Sequence, residues 1–295
     1  MDGVINFFKP RGMTSHDAVY FFRRLLNTKK IGHTGTLDPN ATGVLPICIG
    51  KGTRISEYLL GVDKEYIGEI TLGYATDTQD GDGRVINSSE KIVSEDEINI
   101  SFNNFKGVIL QTPPMYSALK INGKKLYELA REGITVDRAS REVNIKKIEI
   151  LNNYNNKEII FYTKCSRGTY IRTICEDIGN ELGTLGYMSF LIRVGVGLFK
   201  IENSYSMDYL KSISRESLLN IITPLDKAVG HVDQIDVPES LYKKLINGVP
   251  LEMGNDYLNK IDKIYRVYSC NQFIGIGKIR QKENNLYLKM DKILI

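Results

Sequence analysis

Gly32-His33-Thr34-Gly35-Thr36-Leu37-Asp38-Pro39-Asn40-Ala41-Thr42-Gly43 sets three glycines, a proline and several small polar residues ahead of the apolar run Val44 to Ile49. That composition forbids a regular helix or strand and marks a structured loop. Loops built in this way are where site residues tend to sit. Asp38 precedes a proline and is held out of the α region, while the glycines let other backbone approach closely. Asp-Pro by itself often does no more than start a turn, so the residues around it have to decide what the loop is for.

Upstream, Gly3 to Phe8 reads as a short apolar strand. Ser15 followed by Ala18, Val19, Phe22, Leu25 and Leu26 reads as an N-capped amphipathic helix, with Lys29 and Lys30 after its end. Downstream, Val44 to Ile49 is expected as a buried strand and Thr53 as the cap of a short helix through Leu60. Glu65 to Leu72 alternates as a strand that puts Tyr66 on the face of Ile70 and Leu72. Asp80-Gly81-Asp82-Gly83 reads as a turn, Asn87 to Asn104 as polar sequence with one helical run ending before Phe105, and Asn122-Gly123 as a hairpin turn. Glu158 to Lys164 is a further strand. After the Ser166-Arg167-Gly168 turn, Thr169 is the expected cap of a helix with Ile171, Ile174, Cys175, Ile178 and Leu182 on one stripe, and Tyr170 and Arg172 fall in its first turn. A helix N-terminus can aim such side chains into a cleft and favours anions there. Beyond about His231 the pattern shifts to short strands and turns: Val237-Pro238, a short helix to Asn247-Gly248, Ile264 to Val267, Phe273 to Ile279 and Leu286 to Met290. These predict a small all-β domain over 232–295 after a larger domain over 1–231.

The chain has 295 residues, 42% hydrophobic and 25% charged, which excludes the disordered, collagenous and disulfide-scaffold classes. Its apolar stretches fall far short of the roughly 20 residues that span a bilayer, and no signal-peptide pattern opens it, so the expected location is the cytoplasm. Cys48, Cys165, Cys175 and Cys270 form no C-x-x-C pair and His16, His33 and His231 lie far apart, so reduced, mostly buried thiols and no zinc site are expected. Asp77, Asp80, Asp82 and Gly83 approach a calcium loop but miss its spacing, with Ser89 at the twelfth place, and Gly195 and Gly197 make no phosphate loop. No metal and no cofactor are expected. The net charge of +4 alone says little. Tyr116 to Lys147, however, carries eight basic residues against four acidic ones, a surplus equal to that of the whole chain.

With Val44 and Leu45 added, the opening stretch resembles the active-site motif of the tRNA pseudouridine-55 synthase (TruB) family, in which the Asp is catalytic. Further landmarks stand in the family's order: Lys9-Pro10 with Gly12, Met13 and Ser15; Lys64-Glu65-Tyr66; Gln111-Thr112-Pro113-Pro114-Met115-Tyr116-Ser117-Ala118-Leu119-Lys120; Gly168-Thr169-Tyr170-Ile171-Arg172; and Leu191 with Arg193. They cover about residues 3 to 200.

The resemblance implies an α+β pseudouridine synthase fold with a mixed, largely antiparallel central sheet, and a small C-terminal β domain of PUA-like type. It implies isomerisation of the uridine at position 55 in the TΨC loop of tRNA, by base flipping and without cofactor or metal. Asp38, Tyr66 and Arg172 are the implied catalytic set, with a bidentate Arg172 expected to hold Asp38 ionised. His33, Tyr170, Leu191, Lys9 and Lys120 are implied substrate contacts. The segment over 116–147 resembles the family's insertion that closes on the T arm, with Lys124, Lys125 and Arg131 meeting RNA backbone. A stand-alone monomer with no obligate protein partner and no membrane association is expected, since guide-dependent relatives usually carry a longer C-terminal domain. A non-enzymatic RNA-binding or RNA-folding protein is the alternative of a different class, and a tRNA-folding role could accompany catalysis.

Overall fold

The computed structural model describes residues 1–121 and 123–295, Asn255 by its backbone alone. Eighteen strands run along the described chain: β1 Gly3–Lys9, β2 Ile31–His33, β3 Thr42–Ile49, β4 Lys64–Leu72, β5 Tyr74–Thr76, β6 Val85–Ser88, β7 Gly107–Gln111, β8 Lys120–Ile121, β9 Lys124–Lys125, β10 Arg141–Tyr154, β11 Glu158–Cys165, β12 Gly186–Val196, β13 Phe199–Lys200, β14 Gln234–Asp236, β15 Leu251–Met253, β16 Ile264–Ser269, β17 Gln272–Lys282 and β18 Asn285–Ile293. The helices that matter most for the site are α1 Ser15–Leu25, α2 Ser56–Leu60, α3 Glu95–Asn104, α4 Leu126–Arg131 and α5 Ile171–Leu182.

A nine-stranded sheet in the order β1-β3-β12-β4-β11-β10-β7, with β2 beside β3 and β13 beside β12, forms the body. Its pairings are antiparallel except β12 with β3, where Ile192 meets Thr42 and Arg193 meets Gly43. The mixed, largely antiparallel sheet expected from the sequence is therefore present. On β4 the residues alternate between buried and half-buried, and Tyr66, Ile70 and Leu72 share the buried side, as the period of two requires. They join Ile98 and Phe102 of α3, Phe161 of β11, and Ile171, Ile174 and Ile178 of α5 in one apolar cluster. A second cluster seats α1 against β1 and β3 through Ala18, Val19, Phe22, Ile5, Phe7 and Leu45.

The C-terminal strands form their own sheet, β14-β16-β17-β18-β15, over a core that includes Val267, Ile274, Ile279 and Leu288. Ile276 and Leu294 pack into a cluster with Val44, Ile55, Leu59 and Val196 of the body, and Arg54 Nη1 donates to the Ile293 carbonyl at 2.7 Å. β14 and β15 extend the strand set that the sequence suggested.

Three cap assignments differ from the sequence reading. Thr14, not Ser15, caps α1: its side chain accepts from the Asp17 amide and Asp17 answers in a capping box, which leaves the buried Ser15 hydroxyl for another partner. Thr53 lies inside a 3-10 turn over Gly50–Arg54 and donates to the Gly50 carbonyl. Thr169 donates to the Ser166 carbonyl, so Tyr170 becomes the cap position of α5. In the expected hairpin turn Asn122 lies outside the described residues. The flanking ladder is in place, with Lys120 opposite Lys125 and Ile121 opposite Lys124.

Gly43 occupies the point where β3 meets β12. Its φ is +107°, and a Cβ there would lie 2.3 Å from the Arg193 carbonyl oxygen, so only glycine fits. Gly43→Ala is expected to destabilise the fold by about 2 kcal/mol or more, from left-handed strain plus the clash; a shift of the urea midpoint at unchanged slope would measure it.

Candidate active site

Two buried cations hold the Asp38 loop by its carbonyls. Lys9 Nζ, at the end of β1, donates to the carbonyls of Pro10 at 2.9 Å, Met13 at 2.7 Å and Pro39 at 3.0 Å. Those contacts use all three of its N–H groups. Arg193 on β12 donates from Nε to Val44 O at 2.7 Å, and from Nη1 and Nη2 to Thr36 O and Gly35 O, each at 3.3 Å. The Ser15 hydroxyl accepts from the Leu37 amide at 2.9 Å and donates to the Leu37 carbonyl at 3.0 Å. The Gly12 amide reaches Pro39 O, and the Ala41 amide closes a turn onto Asp38 O. Leu37 and Ala41 sink into the main core. Asp38 is thus fixed from both sides while its side chain remains 41% exposed.

Arg172, on the first turn of α5, is buried and spreads its donors widely. Nε meets Asp38 Oδ2 at 3.1 Å and Nη1 meets Asp80 Oδ2 at 3.3 Å. Nη1 also donates to Thr78 O at 3.2 Å and Nη2 to Tyr116 O at 2.9 Å. The expected bidentate grip on Asp38 is not what forms: one nitrogen serves Asp38, because the others are committed to a second carboxylate and two carbonyls. Asp80 is that second carboxylate. It sits where the turn between β5 and β6 bridges to Met188 of β12, and Thr78 Oγ1 donates to it at 2.5 Å. Burial pushes the Asp80 carboxyl up, with Thr78 and Arg172 pulling it down.

The cleft onto which Asp38 opens is lined by Asn40, Asp80, Met188, Phe190, Leu191 and, at its rim, Arg11. Leu191 is therefore in the cleft wall. Tyr66 is buried beneath, paired across the sheet with Arg193, and burial lifts its phenol to about 12, with Arg193 pulling the other way. Tyr170 does not line the cleft: Arg141 stacks on its ring at 5.1 Å, and the buried Gln111 takes both its backbone groups, accepting from N at 2.7 Å and donating to O at 3.0 Å. His33, at the end of β2, is half-buried and is not among the residues lining the cleft, its Nδ1 accepting from the Gly35 amide at 3.2 Å. Burial, then the nearby Arg193 and His16, push its pKa down.

Lys9 is a positioning residue and not a substrate contact, because no donor is left over; burial and Arg193 bring its ammonium down to about 8 against the pull of Asp38. Lys120 is exposed on β8. Lys124 faces Glu132 at 3.9 Å, while Lys125 and Arg131 flank the Tyr127 ring at 5.3 and 5.5 Å. No metal-holding cluster occurs among the described residues.

Arg193, Gln111 and Asp80 are the site residues that sequence reasoning left without a role. The first two stood among the quoted landmarks. The residues around Asp80 read only as a turn and an incomplete calcium loop, although a buried arginine with five donors demands more acceptors than one aspartate offers.

The mixed sheet with its packed helices is the pseudouridine synthase fold. A solved structure of a Cbf5-Nop10-Gar1 complex shares it at a TM-score of 0.77, covering 99% of this chain and 85% of that one at 28% identity. The chain belongs to the TruB family of pseudouridylate synthases, whose N-terminal domain matches residues 23–171. A tRNA pseudouridylate synthase B C-terminal domain matches residues 172–230. That second match contains α5 and β12, so it lies in the main sheet, and the five-stranded sheet falls beyond both. Relatives called tRNA pseudouridine synthase B share 44% identity in Alkaliphilus oremlandii, over 100% of this chain and 99% of that protein, and 43% in Clostridium kluyveri, over 100% of both.

Asp80→Asn keeps the shape and removes the second charge on Arg172. It is expected to lower kcat about tenfold or more, with a smaller change in KM, because Arg172 loses the partner that aims its Nε at Asp38; steady-state rates on RNA would show the split.

Proposed function

We propose that this protein converts the uridine at position 55 of the tRNA TΨC loop to pseudouridine, with Asp38 as its catalytic carboxylate. The observation that carries this reading is an exposed Asp38 held at 3.1 Å by the buried Arg172, because the reaction begins at the sugar and needs an ionised, oriented carboxylate. Asp38 either attacks C1′ or removes the 2′ proton. The N1–C1′ bond breaks, the freed uracil turns, a C5–C1′ bond forms, and the C5 proton is lost as N1 gains one. Atoms balance without oxidant or cofactor.

Flipping the base out of the loop brings it against Leu191, over Tyr66, with His33 helping to hold the flipped state, while Tyr170 stands outside the cleft under Arg141. Residues 1–231 serve as the catalytic domain, with the 116–147 insertion gripping RNA through Lys120, Lys124, Lys125 and Arg131, and residues 232–295 serve as a small PUA-like RNA-binding domain. The protein acts as a monomer in the cytoplasm without an obligate protein partner, and no helix of the described residues is long and apolar enough to cross a membrane. A tRNA-folding role beside catalysis fits the same surface.

Tritium release from a tRNA transcript labelled at uridine C5 tests the core of this. Wild type should release tritium, Asp38→Asn should fall by about a thousandfold or more, and a transcript with cytidine at the target should release none from that site. Tight binding without release would instead make this an RNA-binding protein. Lys124→Glu with Lys125→Glu should weaken tRNA binding and flatten its salt dependence; unchanged affinity at low salt would remove the insertion from the RNA contact.

A further inference from the structure

Residues 9–30 carry six basic side chains, Lys9, Arg11, Arg23, Arg24, Lys29 and Lys30, against Asp17 alone. That surplus of +5 exceeds the net charge of the whole chain. Lys9 is spent on the loop, and Asp17 is spent on the cap of α1. Among the described residues none of the other five forms an ion pair. In the insertion Lys124, Lys146 and Lys147 face carboxylates, while Lys120, Lys125, Arg131, Arg138 and Arg141 form no ion pair among the described residues.

His16, Tyr20 and Arg23 stand at positions i, i+4 and i+7 of α1 and so share one face. Tyr20 is 51% exposed, the His16 ring meets its edge at 4.7 Å, and the Arg23 guanidinium lies over it at 5.4 Å. Arg23 Nε is itself buried and has no hydrogen-bond partner among the described residues. Packing does not explain Tyr20, because Ala18, Val19 and Phe22 already fill the buried side of the helix. Favourable placement of Arg23 and Arg24 at the helix C-terminus accounts for their charge but not for an exposed ring between two cationic or titratable groups.

The ridge begins at the catalytic cleft. Ser15 is bonded to Leu37, the Gly12 amide to Pro39, and Arg11 is on the cleft rim with Asp38. From His16 to Arg23 the helix advances about 10 Å, at 1.5 Å per residue, away from that rim. We infer that this face of α1 is a second RNA track, on which Tyr20 stacks a base flanking the flipped uridine and Arg23, with Arg24, meets the phosphates beside it. Aromatic stacking framed by cations is the chemistry that holds unpaired nucleotides without reading their sequence. The inference rests on the proposed function and adds residues that the cleft does not contain.

Kinetics and equilibrium binding on an unmodified tRNA transcript test it. Tyr20→Ala and Arg23→Gln are each expected to raise KM and Kd by about tenfold, with kcat within about twofold of wild type. Tyr20→Phe keeps the ring face and should restore both. Arg23→Gln should also lower the slope of log Kd against log salt by about 0.7 to 0.9, the loss of one phosphate contact. Unchanged Kd and unchanged slope in both variants would overturn the track. So would a fall in kcat at constant KM, which would mean that α1 acts by holding Leu37. Should Tyr20→Ala fold poorly, Arg23→Gln decides alone. The binding arm reads the track even if wild type released no tritium, an outcome that would strike the proposed function instead.

Discussion

The carbonyls of the Asp38 loop are satisfied by two buried cations, Lys9 and Arg193, neither of which has a carboxylate in ion-pair contact among the described residues. A loop turned by Asp38-Pro39 between strands cannot bond its own backbone in a ladder, and buried polar groups left unpaired are costly. Lys9 and Arg193 resolve that cost from β1 and β12, so the loop's shape is dictated by two strands that also form the floor of the sheet. Each cation in turn depends on the loop, because a buried charge without acceptors would be more costly still. The interdependence leaves little freedom for intermediate arrangements: the loop is fixed once the sheet is formed.

Arg172 carries that fixed point outward. Its donors reach Asp38, Asp80, Thr78 and Tyr116, so one guanidinium joins the catalytic loop, the turn between β5 and β6, and the start of the basic insertion. Any displacement of Tyr116 therefore has a physical route to Asp38 through its carbonyl and the Arg172 fork. Asp80 keeps that fork from turning entirely toward Asp38, and a shared guanidinium is less able to neutralise either carboxylate completely. A single 3.1 Å contact leaves the rest of the Asp38 carboxylate open to the cleft, as a full bidentate clamp would not.

Much of this was legible in the sequence because local rules and sheet periodicity operate over a few residues. The alternation of Glu65 to Leu72 gave the strand and the buried face of Tyr66, and the stripe from Ile171 to Leu182 gave α5. Caps were less legible, because neighbouring residues compete for them: Thr14 and Ser15 have the same chemistry, and only the position of Leu37 in space decides which hydroxyl turns inward. Asp80 was illegible for a related reason. Its partner lies 92 positions away on α5, and its neighbours suggest a turn whatever its side chain does. The roles of Lys9 and Arg193 as carbonyl clamps likewise require the fold, since Lys9 ends β1 and Arg193 lies within β12, both distant in sequence from the loop they close upon.

The burial of Tyr66 also constrains the chemistry at C5. Burial pushes the Tyr66 phenol up to about 12, so it is neutral near neutral pH. Arg193 pulls it the other way, by its charge and by hydrogen bonding, without outweighing burial. A neutral phenol cannot take up a proton while keeping its own, so Tyr66 suits a ring that supports the turned uracil and a hydroxyl that donates or relays. Any proton it accepts from C5 has to be matched by one passed on in the same step. On the nucleophilic route of the proposed reaction the Asp38 carboxylate is freed from the sugar as the C5–C1′ bond forms, and it then stands with Asp80 and Asp82 as a carboxylate lining the cleft.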